Sequence, residues 1–111
     1  MSVLQFCKVD EITVSPKMKG YLDRINSKVD LGNLLATSIA SSQLVQIFSG
    51  RVSAGKQLKK IYEHDWEVFS HVLMSSHYIT KNEVNKIADE ARLFSNGNES
   101  KFWDCVYEAT R

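Results

Sequence analysis

Gly50-Arg51-Val52-Ser53-Ala54-Gly55-Lys56-Gln57 follows the phosphate-loop pattern G-x-x-x-x-G-K up to its last position. In such a loop, successive backbone N–H groups cradle phosphate oxygens, and the hydroxyl after the lysine holds magnesium. Gln57 stands at that position and offers no hydroxyl. The segment before the motif reads as helix, whereas the chemistry needs a strand feeding the loop. No second strand ending in Asp follows to complete a metal site. Nucleotide binding is therefore not expected, and the glycines read as a helix stop and a loose helix start.

The histidines fare no better as a site. His64 and His71 are seven residues apart, which on a helix separates them by about 10 Å along the axis, too far to share one metal ion. Zinc-binding helices place two histidines at i and i+4 instead. Glu67 lies four residues before His71 and would suit a general-base pair, but no Ser or Cys stands in a nucleophile motif to use it. Cys7 and Cys105 lie near opposite ends of the chain with no clustered ligands beside them. The expectation is a protein that is not an enzyme and carries no cofactor and no metal.

Asp65 is the residue that stands out. On a helix over 54–76, capped by Ser53, it falls in the middle of the apolar face, with Ile61 and Phe69 one turn away on either side. An unpaired buried carboxylate costs several kcal/mol, so it must be paired or lie at the edge of the core. Either it is a structural hydrogen-bond or salt-bridge partner, or this face is partly open and Asp65 meets another protein. Tyr62 and Trp66 beside it are residue types enriched at interface hot spots. Lys59, Tyr62, Glu63, Asp65, Trp66 and Glu67 together form the candidate partner-binding surface.

The elements that must position these residues follow from the rest of the chain. Its 111 residues suffice for a single domain over 1–111 with one modest core. A net charge of +1 argues against a dedicated nucleic-acid binder and gives no general pull toward membranes. The N-terminus has no basic region followed by a long apolar run, so no signal peptide is read. Reduced thiols in the cytoplasm are expected, although one bridge pinning the termini would also satisfy the count. Leu31–Gly50 contains no charge, but half of its twenty residues are glycine or hydrogen-bonding types, so it is not a membrane span. It reads as one central helix over 31–49, capped by Asp30 and stopped by Gly50, with Leu35 and Ile39 deeply buried. A break near Ser41-Ser42 is the alternative.

Residues 3–14 carry β-branched and aromatic types in rough alternation, which predicts a short strand or an extended arm. Ser15-Pro16 predicts a helix over 16–28, with Met18, Tyr21 or Leu22, Ile25 and Val29 on one stripe. Lys56, Lys59 and Lys60 would oppose the dipole of the helix over 54–76 at a mild cost. Thr80-x-x-Glu83 matches a capping box, with Ile79 and Val84 as a hydrophobic staple. Val84, Ile87, Ala88 and Ala91 give that helix its buried face, and Ser95-Asn96-Gly97-Asn98 ends it. A last helix over 99–109 buries Phe102, Val106 and Trp103. The predicted fold is mainly α, a compact bundle of about five helices with an N-terminal extended arm or short strand.

Two functional classes compete. Phe69–Phe94 reads as helix, turn, helix, and its second helix offers Lys81, Asn82, Asn85, Lys86 and Arg92 to a DNA groove. Glu83, Asp89 and Glu90 on the same helix oppose that reading, so nucleic acid is not the favoured partner. The segment Phe48-Ser49-Gly50-Arg51-Val52-Ser53-Ala54, followed by Leu58 and Tyr62, resembles the helix-opening segment of small helical immunity proteins that neutralise colicin D-type nuclease toxins. The resemblance covers about fifteen residues and implies tight one-to-one binding to a toxin domain. Such inhibitors tend to be acidic and this chain is not, which favours contact beside the toxin's active site. A bacterial inhibitor or immunity protein acting by protein–protein contact is the first expectation, a helix-turn-helix regulator the second, and a self-associating accessory protein the third.

Overall fold

An extended segment by itself leaves its backbone donors and acceptors unpaired, and here Val9–Val14 resolves this by pairing with residues 55–61. The computed structural model of the chain describes residues 7, 9–39, 43–49 and 52–111. Strand β1 (Ile12–Thr13) runs antiparallel to β2 (Gln57–Leu58), with Ile12 opposite Leu58 and Thr13 opposite Gln57. Val14 extends the pairing, donating to the Lys56 carbonyl at 2.8 Å and accepting from Gly55 N–H at 2.7 Å. Further along, Val9 and Ile61 exchange two backbone bonds of 3.1 and 2.9 Å. The same register sets Lys60 against Asp10, 3.8 Å apart.

This ribbon overturns the helix expected over 54–76. Residues 53–56 form a turn closed by Lys56 N–H to the Ser53 carbonyl, with Gly55 at φ +93, where a side chain would be strained. The apolar residues Leu58 and Ile61 are buried through the ribbon rather than on a helix face. The phosphate-loop resemblance goes with it, since this segment leads into a strand instead of opening a helix. Gly50 and Arg51, the start of that motif, lie outside the described residues.

Helix α1 (Pro16–Lys28) matches its prediction. The Ser15 hydroxyl accepts from Met18 N–H at 3.1 Å and donates to Glu99 at 2.6 Å, so the cap also ties the helix to the far end of the chain. Met18, Leu22 and Ile25 are buried.

Within the charge-free stretch the described residues include α2 (Leu31–Ile39) and α3 (Gln43–Ile47). Residues 40–42, where the break was considered, and the stop at Gly50 lie outside the described residues. Asp30 opens α2 as expected, its carboxylate accepting from Asn33 N–H at 3.4 Å and from the Asn33 amide at 2.8 Å. Leu31 and Leu35 are buried, whereas Asn33 and Thr37 are exposed; the side chain of Ile39 is not among those described. This helix is not the centre of the fold: it packs on α3 and α4 alone among the main helix contacts. Its outer face is solvated by neutral groups, with Thr37 Oγ1 donating to the Leu34 carbonyl at 2.9 Å, so absence of charge did not mean burial all round.

Helix α4 (Glu63–Ser75) is followed by α5 (Tyr78–Phe94) and α6 (Gly97–Ala109), giving six helices among the described residues. The α5–α6 hairpin has the most extensive packing, with α1 against α5 and α4 against α6. The chain turns through Ser95-Asn96 into Gly97 at φ +61, where glycine is favoured. Phe102, Trp103, Cys105, Val106 and Ala109 are buried, which makes α6 the central element. Cys7 and Cys105 form a disulfide with Cα atoms 5.7 Å apart, correcting the expectation of reduced thiols. The ribbon that holds Val9–Val14 in place brings Cys7 to the buried face of α6. No helix among the described residues is long and apolar enough to cross a membrane.

The glycines supply a test of packing. Gly32 lies where α2 meets the end of α3: a Cβ there would come within 2.8 Å of the Phe48 carbonyl oxygen and of Ser49 Cα. Gly20, in α1, has nothing within 4 Å. In urea titrations Gly20→Ala should stabilise by about 0.5–1 kcal/mol through helix propensity. Gly32→Ala should instead destabilise by about 1–3 kcal/mol, because backbone must move to admit the methyl group.

Candidate partner-binding surface

Moving the start of α4 from Ala54 to Glu63 changes the meaning of every candidate residue. Asp65 is now the third residue of a helix whose N-cap is Tyr62, and its carboxylate accepts from Tyr62 N–H at 3.2 Å. Glu63 and Asp65 both sit in the first turn, where negative charge complements the helix dipole. The apparent oddity of Asp65 came from extending the helix about two and a half turns too far upstream, which also placed Ile61 on it. Asp65 is a capping residue, partly exposed, and Lys56, Lys59 and Lys60 precede the helix instead of lying in its first turns.

Trp66 has no surface to offer. It is fully buried, with its ring 5.5 Å from Phe102 and 5.7 Å from Phe69. Lys59, Tyr62, Glu63 and Glu67 are exposed. Lys60 stands over the Tyr62 ring at 5.8 Å. Glu63 and Glu67 begin an outer stripe of α4 that continues through His71 to Met74, one residue per turn or nearly so.

That stripe ends on a feature the sequence reading missed. Met74, Tyr78 and Ile79 are exposed by 56, 65 and 52% of their surface, gathered within six residues at the α4–α5 corner. The corner is short and well tied. Ser76 ends α4 by donating both its N–H (3.2 Å) and its hydroxyl (2.7 Å) to the Leu73 carbonyl. His77 starts α5, with Nδ1 accepting from Ile79 N–H at 3.2 Å, and its ring stacks on Tyr78 at 4.9 Å. Lys81 Nζ reaches back to the Met74 sulfur at 3.9 Å. A shallow cleft of about 220 Å³ adjoins the corner, lined by Leu34, Thr37, His71, Val72, Ser75 and Ser76.

The predicted capping box is not what forms here. Thr80 lies inside the first turn of α5, Glu83 faces Lys28 at 3.9 Å, and Ile79 is exposed rather than stapled to buried Val84. The imidazole of His77 provides the cap three residues earlier than the Thr-x-x-Glu spacing suggested. A second exposed apolar pair, Leu93 and Phe94, ends α5, where Lys17 Nζ donates to the Phe94 carbonyl at 2.7 Å.

The possible DNA-reading residues of α5 are largely engaged within the protein. The Asn85 amide donates to Thr110 Oγ1 at 3.1 Å and to the Tyr107 carbonyl at 3.4 Å. Arg92 stacks on the Tyr107 ring at 4.1 Å and pairs with Asp89 at 2.9 Å. Its hydrogen bond to Asp89 raises the guanidinium pKa above its ordinary value. Asn82 and Lys86 are the exposed members of the set. Among the described residues, no group of three His, Cys, Asp or Glu side chains is placed to hold a metal ion. No family model, curated protein or solved structure matches this chain.

The separate roles of the cap and the corner can be measured. Asp65→Ala should lower stability by about 1 kcal/mol in urea titration, the ordinary cost of losing a side-chain cap. Tyr78→Ala should stay within about 0.5 kcal/mol of the parent, as expected for a surface position.

Proposed function

We propose that this is a small, non-enzymatic protein that works by binding another protein, and that its contact surface is the Met74–Tyr78–Ile79 corner with the outer stripe of α4. The observation that carries the reading is the exposure of three large apolar side chains together on a short, hydrogen-bonded corner. Single exposed apolar residues are ordinary on any protein, but contiguous ones mark contact sites. Tyr and Met are enriched at interfaces. A corner held this firmly would present them with little ordering cost.

The sharpest version is a bacterial inhibitor or immunity protein that neutralises a toxin by direct one-to-one contact. Near-neutral charge suits binding beside a toxin's active site rather than mimicry of a nucleic-acid substrate. The Ser53 segment behind the colicin D-type resemblance turns into β2 and opens no helix, so the exposed corner carries the proposal instead. A cytoplasmic site of action was expected because no signal peptide was read, and reduced thiols were expected with it; the Cys7–Cys105 disulfide weighs against that pairing. The engagement of Asn85 and Arg92 within the fold weighs against a helix-turn-helix regulator.

The test is calorimetric titration against a toxin domain encoded beside this gene. Expected is one-to-one binding that Tyr78→Ala weakens by roughly 30-fold or more, a hot-spot effect of about 2 kcal/mol. Lys86→Ala, on α5, should change it little. No toxin gene alongside, or affinity indifferent to Tyr78 and Ile79 alike, would sink this version. Tight duplex-DNA binding with a steep salt dependence would replace it with the regulator reading. Light scattering showing a stable dimer that Tyr78→Ala dissolves would replace it with self-association.

A further inference from the structure

We propose that Cys7–Cys105 is a structural staple formed in an oxidising compartment, and that the oxidised chain is the working form of the protein. The two cysteines are 98 positions apart, yet their Cα atoms lie 5.7 Å apart, within the range a disulfide spans. Cys7 precedes the ribbon and Cys105 lies on the buried face of α6, beside Phe102, Val106 and Ala109. The bond therefore joins the segment ahead of the ribbon to the central helix.

The ribbon explains why such a bond is needed. Its regular part is two residues long on each strand, with one further bridge at Val9–Ile61. A two-stranded ribbon is marginal in water by itself. Burial of Val9, Ile12 and Val14 helps to hold the ribbon down, and the staple fixes its outer end covalently.

Burial also distinguishes the bond from a redox sensor. Cys7 is 7% exposed and Cys105 2%, so a thiolate in solution has little access to either sulfur. Sensor and catalytic cysteines are exposed and readily attacked, whereas shielded disulfides are structural. Formation is a two-electron exchange. The two cysteine thiols lose two protons and two electrons to the disulfide of an oxidised dithiol oxidoreductase, which leaves as the dithiol. Compartments that sustain this exchange lie outside the reducing cytosol.

The experiment compares the full chain directed to a bacterial periplasm with the same chain made in a reducing cytosol, each purified under alkylating conditions without reductant. The periplasmic protein should be about 2 Da lighter than the dithiol and take up no alkylating group. Hydrogen exchange should show the amides of Val9 and Val14 protected in the oxidised protein. Reduction should speed their exchange at least tenfold while α5 and α6 keep their protection. Cys7→Ala, which leaves the buried Cys105 in place, should reproduce that release and lower Tm by roughly 10 °C or more. Two alkylated cysteines in folded periplasmic protein would overturn the proposal. So would exchange at Val9 and Val14 that is indifferent to both reduction and Cys7→Ala.

Discussion

Phe102 holds the structure together through the rings around it. Its ring lies 6.1 Å from Phe48, 5.5 Å from Trp66 and 4.9 Å from Trp103, while Phe69 closes the set against Phe48 and Trp66. Trp103 extends it to Tyr21 on α1, at 5.8 Å. The contacts thus gather α1, the end of α3, α4 and α6. Each ring brings a large apolar area, and paired rings add about 0.5–1.5 kcal/mol beyond that area. The indole N–H groups of Trp66 and Trp103 find no acceptor among the described residues. An unpaired buried donor opposes folding, so ring burial must outweigh that loss.

A core centred on α6 has consequences at the surface. With α5 and α4 drawn onto α6, two residues remain to join one helix to the next, Ser76 and His77. A connection that short offers little chain to cover the helix ends, and Tyr78 and Ile79 in the first turn of α5 are exposed. Tyr78 and Ile79 are therefore displayed by the geometry of the corner. The ribbon holds Val9–Val14 against residues 55–61, and the disulfide joins Cys7 to α6.

Local signals were legible where the chain makes its own structure. Ser15-Pro16 set the start of α1 because a cap and a proline act within one turn. Ser95-Asn96-Gly97 set the α5–α6 reversal because a positive φ favours glycine. The buried stripes of Val84, Ile87, Ala88 and Ala91, and of Phe102, Trp103 and Val106, followed from helical spacing. Local signals misled where two of them competed. Thr80 and Glu83 have capping-box spacing, yet His77 lies closer to the end of α4 and supplies the cap first. The lack of charge in Leu31–Gly50 suggested burial all round, but Asn33 and Thr37 solvate an outer face without charge.

Sequence alone determined a mainly helical chain, the bounds of α1 and the apolar faces of α5 and α6, because capping and 3.6-residue periodicity operate within a few neighbouring residues. Tertiary structure decided the fate of residues 53–62. Their local pattern suits a helix, but Val9–Val14 requires hydrogen-bond partners, and that requirement arises some forty-five positions away. With the ribbon in place, α4 begins at Glu63, Asp65 becomes a cap instead of a buried charge, and Trp66 enters the core. The same long-range pairing brings Cys7 to Cys105. The exposed corner also belongs to tertiary structure, because exposure of Tyr78 and Ile79 depends on where α4 and α6 lie.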